Sequence, residues 1–201
     1  MRPLRLARHE LSQDANGPGM RLVLWVQGCS IRCAGCINPW SWRPDAVQVD
    51  FGAGKHPVLD ALWSHLRDLI LSASELGASG LTLTGGEPFD QDPEAIREIC
   101  HFAQHHLGSV GVFTGYTPTQ LLSDTIGARH RLAFQHIDWL VAGPYRRDLP
   151  RGKGILSSSN QQLVLLTDRH RNDEFHACAE LTFDLDAANV FGTGTILKDT
   201  K

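Results

Sequence analysis

Three of the five cysteines fall within Cys29-Ser30-Ile31-Arg32-Cys33-Ala34-Gly35-Cys36, directly after the apolar run Leu22-Val23-Leu24-Trp25-Val26. A buried strand running into a C-x3-C-x2-C loop constrains the fold most, because α/β folds place their chemistry on loops at the carboxyl ends of the sheet. Three thiolates on so short a loop can converge on three corners of one iron–sulfur cube, whereas a closed cluster needs four. Cys100 sits mid-helix and Cys178 lies far along the chain. If neither closes the site, one iron keeps the open position that a catalytic metal needs and a structural one lacks. Two other readings stay open at this point. One is a structural zinc held by the three cysteines and one of ten histidines. The other is a closed electron-transfer cluster completed by Cys100 or Cys178. An odd cysteine count, crowded in this way, is no secreted disulfide framework and points to a reducing cytosol.

The remaining pattern supplies an α/β frame. Leu59, Leu62, Trp63, Leu66, Leu69 and Ile70 recur at helical spacing up to Gly77. Leu81 to Thr84 reads as a strand closed by Gly85-Gly86, and Val110 to Phe113 as another. Asp92-Pro93 is a helix start, with an N-cap acceptor followed by a proline whose missing N–H costs nothing there. Ile96, Ile99 and Ala103 give that helix its apolar face, and Gly108 ends it. Thr117-Pro118 opens a further helix. Ile137 to Val141 and Leu163 to Leu166 read as later strands, with two more near Leu181–Leu185 and Val190–Phe191. Asp45 to Pro57, rich in glycine and proline, reads as a loop. Strands alternating with helices imply βαβ units and a mostly parallel sheet. A chain of 201 residues stands at the short limit of an eight-stranded barrel, ~200 residues. The expectation is therefore α/β: an incomplete barrel of roughly six βα units. It would form a single domain over residues 1–201, with a core over about 16–166 and C-terminal strands over about 180–195.

Composition narrows the setting. With 42% hydrophobic and 20% charged residues the chain has the balance of a globular protein. No apolar run approaches the ~18 residues of a membrane span, and Met1 to Glu10 lacks the apolar core of a secretory signal. A net charge of −3 gives no pull toward nucleic acid or anionic membrane. A cytoplasmic location is expected. Two nucleotide-like patterns fail: Gly52-Ala53-Gly54-Lys55 has Val49 and His56 where a P-loop needs Gly and Ser/Thr, and Gly192-Thr193-Gly194 has Leu197 in place of a third glycine. His101, His105 and His106 read as a solvated helix face. Trp25 and Trp63 read as core, while Trp40 and Trp42 flank the cysteine loop.

At these residues the chain resembles the radical S-adenosylmethionine activating enzymes of glycyl radical enzymes. The resemblance rests on Gly17-Pro18-Gly19-Met20-Arg21, the cysteine loop, and Thr84-Gly85-Gly86-Glu87-Pro88. It continues in Thr114-Gly115-Tyr116, Gly143-Pro144-Tyr145 and Ser158-Ser159-Asn160-Gln161. Asn38-Pro39 and Trp42 resemble the branch whose partner is anaerobic ribonucleotide reductase. Asn16 stands where the family usually carries Asp. The resemblance implies a 4Fe-4S cluster on Cys29, Cys33 and Cys36, with S-adenosylmethionine on the fourth iron. It assigns Gly85, Gly86 and Glu87 to the methionine amine, and Gly35, Ile37 and Asn38 to the adenine side. A flavodoxin or ferredoxin would supply one electron, and a 5′-deoxyadenosyl radical would take hydrogen from a backbone glycine of the partner. A radical S-adenosylmethionine enzyme for a small molecule or peptide would carry the same cofactor residues. A non-catalytic iron–sulfur carrier would need a fourth ligand. Arg146, Arg147, Arg151 and Lys153 make a basic stretch, readable as a solvated loop or as a grip on an acidic partner.

Overall fold

The computed structural model describes residues 3–50, 55–123, 125–173 and 175. Cys178, Gly192-Thr193-Gly194 and the strands expected over about 180–195 lie outside the described residues.

The central strands form where expected. β1 (Leu4–Gln13) pairs antiparallel with β2 (Met20–Val26), whose end carries the cysteine loop. The segment read as a loop contains a small antiparallel hairpin, β3 (Gln48–Asp50) and β4 (Lys55–Pro57). β5 (Leu59–Ala61) then pairs antiparallel with β1. Next come α1 (Trp63–Glu75), β6 (Gly80–Gly85), α2 (Pro93–Leu107) and β7 (Val110–Thr114). The described chain continues through α3 (Pro118–Leu121), α4 (Ile126–Phe134), β8 (Trp139–Ala142) and β9 (Gln162–Leu165).

Capping explains two of the helix starts. The Asp92 side chain accepts the Ala95 N–H, and Gly108 closes α2 in the left-handed conformation. Thr117 and Gln120 form a reciprocal capping box on α3.

The seven-stranded sheet has the order β5-β1-β2-β6-β7-β8-β9. β2, β6, β7 and β8 run parallel, and β1, β5 and β9 are antiparallel additions at the two sides. Among the described residues β5 and β9 do not pair with each other, so their sheet is open. The α/β class and the parallel centre match the expectation, and of the roughly six βα units expected the described residues hold three crossovers. Three parallel crossovers join the four central strands, through α1, through α2, and through α3 with α4. Leu22, Leu24, Leu81 and Leu83 from the sheet meet Leu66, Ile70, Ile96 and Ile99 from α1 and α2 in one fully dry core. Burying each such side chain is worth roughly 1.5–3 kcal/mol, which is what holds the crossovers against the sheet. Parallel strands share their carboxyl ends, so β2, β6, β7 and β8 deliver the cysteine loop, Gly85-Gly86-Glu87, Gly115 and Gly143-Pro144-Tyr145 to one edge.

Candidate functional site

The loop after β2 turns away from the sheet at Gly28, φ +107, and curls again at Arg32, φ +50, and Gly35, φ +78. Gly28 and Cys29 donate their N–H groups to the Ser41 and Trp42 carbonyls at 2.8 and 3.1 Å, which closes the loop onto the 3-10 turn Pro39–Ser41. The Gln27 amide adds donations to Trp40 O and Arg43 O at 3.0 and 2.8 Å. Cys29, Cys33 and Cys36 are free thiols, partly exposed, and all three face one open cavity. The same cavity is lined by Ile37, Trp42, Gly85, Gly86, Glu87, Gly115, Tyr145 and Gln161.

Asn38 donates its N–H to the Cys36 sulfur at 3.4 Å, and the nearby N–H groups of Ile31 and Arg32 favour the Cys29 thiolate as that of Tyr145 favours the Cys33 thiolate. Burial, the largest influence, nevertheless pushes the Cys29 and Cys33 thiols up from their ordinary value. Such thiols give up their protons when iron takes them, and donors already aimed at the sulfurs suit thiolate ligands. Among the described residues no three His, Cys, Asp or Glu side chains converge closely enough for a single metal ion. Three thiols lining one cavity match the ligand number of a 4Fe-4S cluster with one open iron. Cys100 is fully buried in the hydrophobic core on α2, with its thiol pushed strongly upward by burial, and cannot reach that cavity.

Glu87 lies between the cavity and the sheet, 1% exposed. Its Oε1 accepts the Phe89 N–H at 3.0 Å and the Thr114 hydroxyl at 2.8 Å, and its Oε2 accepts the Gly115 N–H at 2.8 Å. A carboxylate offers about four lone-pair sites, so one acceptor position on Oε2 remains. Burial, the dominant influence, still raises the carboxyl to about 7 against the pull of those three donors. Gly85 and Gly86 must be glycine because of the chain itself. A Cβ on Gly85 would lie 2.7 Å from Trp25 Cα, and one on Gly86 2.2 Å from Gly28 O.

Of the residues assigned to the adenine side, Ile37 borders the cavity, 49% exposed. Gly35 and Asn38 shape the loop behind it. A Cβ on Gly35 would meet Arg147 Cδ at 2.8 Å, and Asn38 gives its N–H to Cys36. Trp42 lines the cavity, and its indole Nε1 is buried without a hydrogen-bond partner. The basic stretch divides: Arg146 pairs with Asp148 in solvent, while Arg147 lies across Gly35.

Sequence reasoning missed one clasp. Asp90 accepts the Ser30 N–H at 2.6 Å and the Tyr116 hydroxyl at 2.7 Å, tying the cysteine loop to the loops after β6 and β7. Asp90 stands three residues beyond Glu87, and no spacing rule marks such a contact in advance.

A family model described as a 4Fe-4S single cluster domain matches residues 15–164. The anaerobic ribonucleoside-triphosphate reductase-activating protein of Enterobacteria phage T4 is 28% identical over 156 residues, spanning 76% of this chain and 88% of that protein. The protein of that name from Pasteurella multocida (strain Pm70) is 31% identical over 155 residues, 74% of this chain and 89% of its own. A pyruvate formate-lyase-activating enzyme from Staphylococcus epidermidis is 32% identical over 81 residues, 39% of this chain and 28% of that one. No helix among the described residues is long and apolar enough to cross a membrane.

Proposed function

Because this chain belongs to the 4Fe-4S single cluster domain family, and with it to the family of anaerobic ribonucleoside-triphosphate reductase-activating proteins, we propose that it is the radical S-adenosylmethionine activase of a glycyl radical enzyme. The best single partner is an anaerobic ribonucleoside-triphosphate reductase, with a flavodoxin or ferredoxin as the electron source and the cytoplasm as the setting. The observation that carries the reading is the cavity itself, where three free thiols and Glu87 meet at the carboxyl ends of β2 and β6 while the fourth described cysteine is sealed in the core.

Cys29, Cys33 and Cys36 hold the 4Fe-4S cluster. When bound, the cluster and S-adenosylmethionine supply the reductive cleavage whose end result is a glycyl radical on the partner. Everything else is the work of this chain. Glu87 offers its free Oε2 position to the methionine amine, held in place by Thr114 and Gly115. Gly85 and Gly86 let that loop pack against Trp25 and Gly28, which sets where Glu87 is presented. Trp42 and Ile37 present apolar surface at the rim, which limits water beside the sulfurs. The open sheet leaves the cavity accessible from one side, as a macromolecular substrate requires.

Anaerobically reconstituted protein with a strong reductant should convert S-adenosylmethionine into methionine and 5′-deoxyadenosine. Glu87→Ala should weaken cofactor binding with iron content intact. Absence of any cleavage by iron-replete protein would overturn the catalytic reading. Loss of iron on Cys100→Ala would favour the closed electron carrier.

A further inference from the structure

Ser158-Ser159-Asn160-Gln161 is a sequence motif to which the cofactor chemistry assigns no task. Three of its four side chains, Ser158, Asn160 and Gln161, are hydrogen-bonded. Asn160 Nδ2 donates to the Pro144 carbonyl at 2.7 Å, and Gln161 Nε2 donates to the Gly143 carbonyl at 3.0 Å. Gln161 Oε1 accepts the N–H groups of Ser157 and Ser158 at 2.9 and 3.1 Å, which fixes the amide's orientation. The Ser158 hydroxyl accepts the Arg146 N–H at 3.1 Å and donates to Asn160 Oδ1 at 2.8 Å. The motif thus holds the Gly143 and Pro144 carbonyls and the Arg146 N–H.

That segment leaves β8 through Gly143, φ +117, and runs over the cysteine loop. Its contact with the loop is marked at two points. Tyr145 and Cys33 share the wall of the cavity, and the Tyr145 N–H is near enough to favour the Cys33 thiolate. The Arg147 stem fills the space over Gly35, where a Cβ would lie 3.1 Å from Arg147 Cβ. Of the described backbone N–H groups that favour a thiolate of the loop, Tyr145 comes from a distant part of the chain.

We propose that Asn160 and Gln161 are positioning residues for the iron–sulfur centre: they clamp the 143–147 strap across the cysteine loop, so that the Tyr145 N–H bonds the Cys33 sulfur and sets the reduction potential of the cluster. The inference rests on the cluster reading above. A hydrogen bond to a cluster sulfur stabilises the more negative, reduced state and raises the potential. Releasing the strap therefore lowers it.

The test uses near-isosteric variants in anaerobically reconstituted full-length protein. Asn160→Asp keeps the acceptor for Ser158 but sets a carboxylate against the Pro144 carbonyl. Gln161→Glu keeps the acceptor for Ser157 and Ser158 but does the same at Gly143. Ser159→Ala, whose exposed hydroxyl holds neither carbonyl, is the control. Potentiometric titration followed by electron paramagnetic resonance should find the midpoint lowered in the first two and unchanged in the control. A tenfold shift in the one-electron equilibrium corresponds to about 59 mV. The signal shape should change with it. Two variants guard against one failing to fold, and circular dichroism reports which have folded. Folded, iron-replete variants with the wild-type midpoint and signal would overturn the proposal. So would folded variants that lose iron, since the strap would then retain the cluster rather than tune it. Wild-type protein that takes up no cluster would instead contradict the underlying reading.

Discussion

Glu87 concentrates the physics of the site in one side chain. A carboxyl raised to about 7 in the folded chain, against an ordinary 4.5, binds its proton more tightly folded than unfolded. Its contribution to stability is fully present below pH 4.5 and is lost as the pH rises toward 7. Each unit between the two values is worth about 1.4 kcal/mol, so the loss is on the order of 3 kcal/mol. Comparing apo-protein with Glu87→Gln in urea titrations at pH 4.5, 6 and 7.5 should give a wild-type stability that falls relative to the variant across this window. A constant difference would contradict the buried ionisation. Cys33→Ala should lose the cluster, while Cys100→Ala should keep the iron, because the Cys100 thiol belongs to the hydrophobic core. At this scale the sequence was informative where chemistry depends on spacing along the chain. The three cysteines meet in one cavity for that reason, while Glu87, on the loop after β6, was indicated by the family resemblance. The Thr114 and Gly115 contacts to Glu87, and the Asp90 clasp, join loops of different crossovers, and only the fold brings them together.

Among the elements, β2 shows how one strand serves two ends. Its last residue leads to the cysteine loop. Near its start, Arg21 is wholly buried and donates from Nε to Thr82 Oγ1 at 2.6 Å and from its two terminal nitrogens to Leu81 O at 2.6 Å and Pro18 O at 3.2 Å. Its guanidinium also lies 5.3 Å from the Trp139 ring centre. Arg21 therefore fastens β2, β6 and β8 at the edge opposite the cavity. Arg21→Ala strands those buried carbonyls at a cost of about 3 kcal/mol, or a melting point lower by roughly 10 °C for a chain of this size. Calorimetry checks the loss. Iron uptake per folded molecule should stay at the wild-type level, because the damage is far from the sulfurs. β1 was hidden in the sequence because a register shift between Leu6 and Arg8 breaks its two-residue alternation. Leu59 and Leu62 mimic helical period but are 42% and 66% exposed, and the chain is still extended there. No side chain caps α1 at Leu62, so no local signal marks where the helix begins.

For the whole molecule, the open sheet decides what the site can do. Parallel β2, β6, β7 and β8 were legible from alternating strand and helix patterns. The antiparallel additions at both sides were not, because pairing direction depends on partners distant in sequence. Among the described residues these additions border the sheet without closing it, and the cysteine cavity stands open. Arg147 lies over the cysteine loop and Arg146 is tied to Asp148. Lys153→Glu, at an exposed position, is therefore the cleaner test of docking, since Arg151 is half-buried and donates to the Gly154 carbonyl. It should slow partner activation at low salt and leave uncoupled cofactor cleavage unchanged, with the difference shrinking as salt screens it. The central claim, a glycyl radical activase, is tested most directly by electron paramagnetic resonance. Iron-replete protein, S-adenosylmethionine and a reductant are mixed anaerobically with the anaerobic ribonucleoside-triphosphate reductase of the same cell. The expected result is an organic radical signal on the reductase, split by one glycine α-hydrogen and absent with Cys33→Ala. Cofactor cleavage that proceeds while the reductase stays free of radical would contradict it.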